Sequence, residues 1–361
     1  MSHDTICVSA PGRIVLAGEH QDYFQLPVIS AAISLRTRIT GSITEKPIAR
    51  LHLESMRKTI SIPLNPSTEI QYRYRRSYLQ SGMNNVQRAG YRLPGFEAKI
   101  TSEIPQNAGL SSSSALCVAW AKFLLILAGS EGACTTNAEI ADWAHKIEVT
   151  EFSEPGGKQD HIASAHGGIN YITFPPNSTP TVTPLDIPSE VGIVVGHSLV
   201  AKPTIRTVFR VRTQVAQALQ QLKGAPALSY LKTLEVSEVP QWKLENQKFQ
   251  TLRGILKIRD ATQNMLLAIK EKKSLSVWGQ ILQVQHEALR DDLRLSIPKI
   301  DRMVEMCLEA GAYGAKINGS GEGGCIYALC PPESARKVAE AVQKGKGRPY
   351  IVKIDKGVQI D

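Results

Sequence analysis

Four short stretches of this chain concentrate side chains able to do chemistry. The first, Pro105-Gln106-Asn107-Ala108-Gly109-Leu110-Ser111-Ser112-Ser113-Ser114-Ala115, lies between a strand-like segment and an apolar, helix-like one. Small residues there let the backbone approach a phosphate closely, and the free N–H groups of a helix's first turn point at an anion. Serine hydroxyls add donors and can also ligate Mg²⁺. A Ser-rich helix cap is the plainer reading, but four serines in succession exceed what one cap needs. No G-x-x-x-x-G-K-[ST] occurs in the sequence, so a Walker-type loop is excluded.

The second stretch, Ala10 to Tyr23, packs Arg13, Glu19, His20 and Asp22 into ten residues after a strand. Carboxylates and imidazole on one loop suit a polyhydroxylated ligand, because they accept from and donate to neighbouring hydroxyls; a solvated turn has the same composition. The third holds two carboxylates. Glu148 ends an amphipathic segment, and Pro155-Gly156-Gly157 then turns the chain into Lys158-Gln159-Asp160. Taken singly, Glu148 reads as a surface residue and Asp160 as a helix N-cap. The fourth, Lys316-Ile317-Asn318-Gly319-Ser320-Gly321-Glu322-Gly323-Gly324-Cys325, is a glycine-rich loop feeding a strand. It allows close backbone approach to an anion, or forms an ordinary hairpin turn. His161 and His166, five apart, do not share a helix face and are not read as metal ligands.

The elements that position these stretches follow from periodicity. Residues 5–17 read as a strand that enters a Pro11-Gly12 turn after Ala10, and strand patterns recur at 35–43, 48–54 and 95–101. Helical spacing marks 77–91, 112–128 and 137–150, the last with Asn137 as its expected cap. Pro175 to Pro188 is a linker or an edge hairpin. A second half opens with the strand-like 191–195, continues with helices at 206–222, 241–270, 274–290 and 298–310, and closes with strands near 323–330 and 349–354. Strands and helices without strict βαβα alternation indicate an α+β fold.

Composition sets the outer limits. With 361 residues, 42% hydrophobic and 21% charged, the chain suits two ordinary globular domains at roughly 150 residues each. The N-terminus lacks the basic-then-apolar pattern of a secretory signal. The longest apolar run, Ala115 to Gly129, contains Lys122 and falls short of the ~20 residues a bilayer requires, so a buried helix is expected and no membrane span. Six scattered cysteines, none in C-x-x-C spacing, read as reduced and mostly buried thiols of a cytoplasmic protein. The net charge of +9 suits a polyphosphate substrate as well as nucleic acid. Its one dense cluster, Arg73-Tyr74-Arg75-Arg76 between Tyr72 and Tyr78, reads first as a solvated face, and nucleic acid is the last-ranked partner.

Together the stretches resemble a family. Gly109-Leu110-Ser111-Ser112-Ser113-Ser114-Ala115 is similar to the G-L-S-S-S-A motif of GHMP kinases, the group containing galactokinase, mevalonate kinase and homoserine kinase. Pro11 to Tyr23 resembles the galactokinase signature P-G-R-x-N-L-I-G-E-H-x-D-Y, with Val15 in place of Asn. Lys316 to Cys325 resembles the third motif, K-x-x-G-A-G-x-G-G-C, and 286–301 a galactokinase stretch preceding it. The family also places a Mg²⁺-binding Glu twelve residues before its catalytic Asp and a Pro five before it, which Glu148, Pro155 and Asp160 match.

The resemblance implies a two-domain GHMP kinase architecture, 1–188 and 189–361, with the active site in the cleft between them. It implies that Gly109, Leu110, Ser111, Ser112, Ser113, Ser114, Gly319 and Gly321 bind ATP, and that Ser113 and Glu148 hold Mg²⁺. Glu19, His20, Asp22 and Tyr23 would bind a sugar, with Asp160 and Arg13 catalytic. The implied reaction is ATP-dependent phosphorylation of a sugar hydroxyl, galactose first, by a monomer or homodimer. The segment Tyr23–Val28 is closer to mevalonate kinases, and Gly157–His161 to heptose-phosphate kinases, so those acceptors are the alternatives. A non-catalytic sugar and ATP sensor is the rival of another class, and the presence of Arg13, Glu148 and Asp160 favours an enzyme.

Overall fold

In the computed structural model, residues 5–129, 136–186, 191–240 and 246–361 are described. The strand-forming N-terminal sequence builds β1 (Ile6–Ala17), β2 (Val28–Thr44), β3 (Ile48–Leu53) and β4 (Lys58–Pro63). They are followed by α1 (Tyr78–Arg88), β5 (Gly95–Ser102), α2 (Ser112–Leu127), α3 (Asn137–His145) and α4 (Gln159–His166). The hairpin β6 (Ile169–Thr173) and β7 (Thr181–Pro184) completes this half. One eight-stranded sheet results, ordered β12-β1-β2-β5-β3-β4 with β6 and β7 appended to β2, where β12 is Gln359–Ile360.

The second half begins with β8 (Gly192–His197), α5 (Thr204–Lys223), α6 (Tyr230–Thr233) and α7 (Gln247–Lys270). It continues through α8 (Leu275–Glu287), α9 (Pro298–Glu309), β9 (Gly314–Asn318), β10 (Cys325–Cys330), α10 (Ala335–Lys344) and β11 (Arg348–Val352). Its strands form an antiparallel sheet ordered β11-β8-β10-β9. The architecture is α+β, as expected.

The apolar run at 115–129 becomes α2, whose Trp120 and Phe123 are fully buried and stack on each other against the first sheet. A second cluster fills the other half around α7, α9 and β10. A third joins the halves, bringing Ile14 and Ile29 against Val195, Trp278 and Tyr327. The expected division after residue 188 falls at 187–190, outside the described residues. No helix among the described residues is long and apolar enough to cross a membrane.

Several local expectations are corrected. Pro11-Gly12 is not a turn: β1 runs straight through it, and a register shift against β2 absorbs the proline's missing donor. The cap of α3 is Thr136, not Asn137, in a capping box with Glu139. The expected helix 137–150 ends at His145 and continues as one π turn over Lys146–Thr150; a second π turn, Ala288–Asp292, follows α8. Pro175–Pro188 contributes the edge strand β7, with 187–190 outside the described residues. The expected helix at 241–270 is seen from Gln247, with 241–245 likewise outside. Cys117, Cys307, Cys325 and Cys330 are buried and free, Cys7 is half-buried, and Cys134 lies outside the described residues.

Candidate active site

The bulge in β1 aims Arg13 into a cavity of about 960 Å³ that the serine loop, α4 and the glycine-rich loop also line. The Arg13 backbone N–H donates to Leu110 O at 3.2 Å, which fixes the strand against the serine loop. Its guanidinium forks onto Asp160, Nε to Oδ1 at 2.8 Å and Nη2 to Oδ2 at 2.9 Å, while Nη1 donates to Gly109 O. Burial raises the Asp160 pKa, and the charge and hydrogen bonds of Arg13 more than offset this, so the carboxyl stays below its ordinary range. The plainer reading of Asp160 as a helix cap is not what the fold shows: its carboxylate faces Arg13, and no side chain caps α4.

The serine run opens α2 with Ser111 in a left-handed conformation and no side-chain cap, so the first-turn N–H groups face the cavity uncapped. Gly109 has φ +87°, and a Cβ on it would lie 2.5 Å from Asn318 O; the first and third motifs touch there. Asn318 stitches the junction. Its Nδ2 donates to Gly109 O at 2.8 Å, and its Oδ1 accepts from Val15 N at 2.8 Å.

Glu148 sits on the π turn, buried, with its carboxylate toward the serine run. Burial raises its pKa, but the hydrogen bond and charge of His161 and hydrogen bonds from Ser113 and Ser114 more than offset this, so the carboxyl lies below its ordinary value. Among the described residues no group of three or more His, Cys, Asp or Glu side chains could hold a metal ion. One ionised carboxylate beside hydroxyl oxygens is an all-oxygen donor set that suits Mg²⁺, which commonly takes one or two carboxylates plus substrate phosphates.

At the other end of the cavity, Glu19 is buried in an ion pair with Lys316, and its Oε2 has no protein partner. Burial raises its pKa against the pull of Lys316. Asp22 is 6% exposed, and Gly157 leaves it room: a Cβ there would meet its Oδ2 at 1.8 Å. Burial, with a further contribution from the Asp160 charge, lifts the Asp22 carboxyl from 3.8 to about 6. Burial drops His20 to about 4, so its ring is neutral near pH 7. Its Nε2 donates to Ser320 O at 3.3 Å, and its Nδ1 accepts from Tyr23 Oη at 2.5 Å. Both His20 nitrogens and the Tyr23 hydroxyl are thus occupied within the protein, and these two residues wall the site.

All of the sequence-predicted site residues except Leu110 and Gly321 line this one cavity. Leu110 is buried under it and Gly321 packs on Leu295. Sequence reasoning missed Lys202. This lysine forms no ion pair among the described residues, and its Nζ would lie 3.3 Å from a Cβ on Gly109 and 3.5 Å from one on Gly319. Burial, with Arg13 adding to it, lowers it to about 8. A lysine before Pro203 carries no motif signal, and only the fold brings it to the cavity. The 72–78 cluster lines the far side and is tied to the segment after Glu148: Tyr72 Oη donates to Glu151, and Arg76 Nε to Glu154 at 2.7 Å.

Comparison with known proteins agrees with this layout. The "GHMP kinases N terminal domain" matches residues 77–168, "GHMP kinases C terminal" matches 265–347, and the "Galactokinase galactose-binding signature" matches 1–43. A mevalonate kinase from Thermococcus onnurineus is 30% identical over 99% of this chain and 98% of its own. The chain belongs to the GHMP kinase family. A galactokinase from Haemophilus influenzae is 28% identical over 98% of this chain and 94% of its own. The crystal structure of Lactococcus lactis galactokinase complexed with galactose superposes with a TM-score of 0.84 at 22% identity, covering 99% of this chain and 95% of that one. This GHMP kinase therefore carries all three motifs of its family on one cavity, and it is an ATP-dependent small-molecule kinase.

Proposed function

We propose that the protein transfers the γ-phosphoryl group of ATP to a sugar hydroxyl, with galactose the first candidate acceptor. The observation that carries this reading is the Arg13–Asp160 fork, set between the uncapped N-terminus of α2 and the carboxylates of Glu19 and Asp22. ATP phosphates would rest on the 109–115 turn, with Lys202 and Gly319 opposite. Ser113 and Glu148 would hold Mg²⁺, which when bound offsets phosphate charge. Asp160 orients the attacking hydroxyl and takes its proton as the new P–O bond forms and the bond from Pγ to the β-phosphate oxygen breaks, releasing ADP. Its depressed pKa suits a reaction in which positioning and charge stabilisation dominate over strong base catalysis. Arg13 keeps Asp160 ionised and faces the transferring group.

The acceptor end favours a neutral, hydroxyl-rich molecule. Glu19 Oε2 has no protein donor, and the Asp22 carboxylate accepts from backbone N–H groups with acceptor capacity to spare; sugar hydroxyls would supply the missing donors. The test is an ADP-release screen across galactose, its amino and uronic derivatives, heptose phosphates and mevalonate, with ³¹P NMR of the product. Turnover with galactose and a sugar phosphate product supports the reading; turnover only with mevalonate or a phosphorylated acceptor overturns it.

A further inference from the structure

His161 follows Asp160 in the first turn of α4, yet its side chain turns to the metal side of the cavity. Its Nε2 lies 2.7 Å from Glu148 Oε2, and the residue is 2% exposed. A carboxylate oxygen accepts, so Nε2 carries the proton and donates. The ring is packed edge-to-face with His145, centroids 5.3 Å apart, and its Nδ1 is buried with no partner. An unpaired buried nitrogen costs free energy, so an imidazole is held here at a net expense that packing alone does not require.

Glu148 needs such a partner. It stands on the π turn Lys146–Thr150, where the helix carries an extra residue and the side chain is displaced from the regular helical face. Ser81 Oγ donates to Ile147 O at 2.8 Å and pins the backbone of this turn, leaving the Glu148 side-chain torsions to be fixed by its own contacts.

We propose that His161 is a positioning residue that presets the Glu148 carboxylate toward Ser113 for the metal of the metal–nucleotide complex. The proposal rests on the reading of Glu148 as the metal carboxylate. Because Asp160 and His161 are adjacent, one turn of α4 then sets the acceptor-side carboxylate through Arg13 and the metal-side carboxylate through His161. Partners one shell removed from a metal are typically worth about 10–100-fold in metal affinity.

The test is Mn²⁺ titration of the full chain with AMP-PNP, read by electron paramagnetic resonance, for the wild type, Glu148→Gln, His161→Asn and His161→Gln. The Gln amide reaches about as far as Nε2, whereas the Asn amide does not. The expected result is at least about tenfold weaker Mn²⁺ binding in His161→Asn, with a matching rise in the Mg²⁺ needed for half-maximal turnover and an unchanged KM for the acceptor. His161→Gln is expected to restore Mn²⁺ affinity to within about threefold of wild type. Wild-type Mn²⁺ affinity in His161→Asn, with Glu148→Gln weakened, overturns the positioning role and leaves the Glu148 reading intact. Equal loss in the Asn and Gln variants also overturns it. Wild-type affinity in Glu148→Gln overturns the underlying reading itself.

Discussion

Asp22, proposed to bind the acceptor, sits in the site at a cost to stability. Its carboxyl is 6% exposed, without an ion-pair partner among the described residues, and burial followed by the Asp160 charge lifts it from 3.8 to about 6. The folded-state value lies above the unfolded one, so the group's stabilising contribution is complete below about pH 4 and is lost as pH rises through about 6. At neutral pH the ionised form costs the fold roughly 3 kcal/mol. Asp22→Asn is therefore expected to raise Tm at about pH 7.5 and to leave it nearly unchanged at about pH 4, while raising the KM for the acceptor. Calorimetry at the two pH values checks it; an equal shift at both would remove the titration argument. In the wild type, the KM for the acceptor should rise as pH falls below about 6, because a protonated Asp22 loses acceptor capacity.

At the scale of elements, the contact between the serine loop and the glycine-rich loop depends on one missing side chain. Gly109→Ala must place a Cβ 2.5 Å from Asn318 O on a backbone at φ +87°. The loop is expected to withdraw from Asn318, weakening ATP binding by about tenfold or more with the far-UV circular dichroism unchanged. Isothermal titration with AMP-PNP reads this directly, and unaltered affinity would refute the loop contact as a binding determinant. Each loop alone also reads as a helix cap or a hairpin turn, and they were legible in the sequence only through their joint resemblance to the family motifs; α2 was legible because its apolar run has one buried solution. The π turn under Glu148 was not legible, since an added residue leaves the apolar spacing of 137–150 looking helical. Lys202, Asn318 and His161 escaped as partners for a different reason. Lys202 and Asn318 reach Gly109 from far along the chain, Asn318 across 209 positions and to Arg13 across 305, and His161 meets Glu148 only because α4 folds back on the π turn; no local pattern encodes such meetings.

The whole molecule is closed by its last residues. Arg36 on β2 donates to Asp355 Oδ2 at 2.9 Å, Lys356 O at 3.0 Å and Gly357 O at 2.8 Å, and β12 pairs with β1. A chain that leaves the second sheet at β11 thus returns to the first, next to the strand that carries Arg13. Truncation after Val352 removes three hydrogen bonds to a buried guanidinium. At roughly 1.5–3 kcal/mol for each bond to a charged group this costs on the order of 5 kcal/mol or more and several degrees of Tm. Differential scanning calorimetry that finds the truncated chain as stable as the full one would show that the tail does not brace the first sheet.

On the proposed function, Asp160 organises phosphoryl transfer. The most direct test of this role compares the wild type with Asp160→Asn for ADP formation in the presence of galactose and for AMP-PNP binding. The expected result is a loss of kcat of about 10³-fold or more with nucleotide affinity retained, since the amide keeps the shape but cannot take the proton. Near-normal turnover in Asp160→Asn would contradict it.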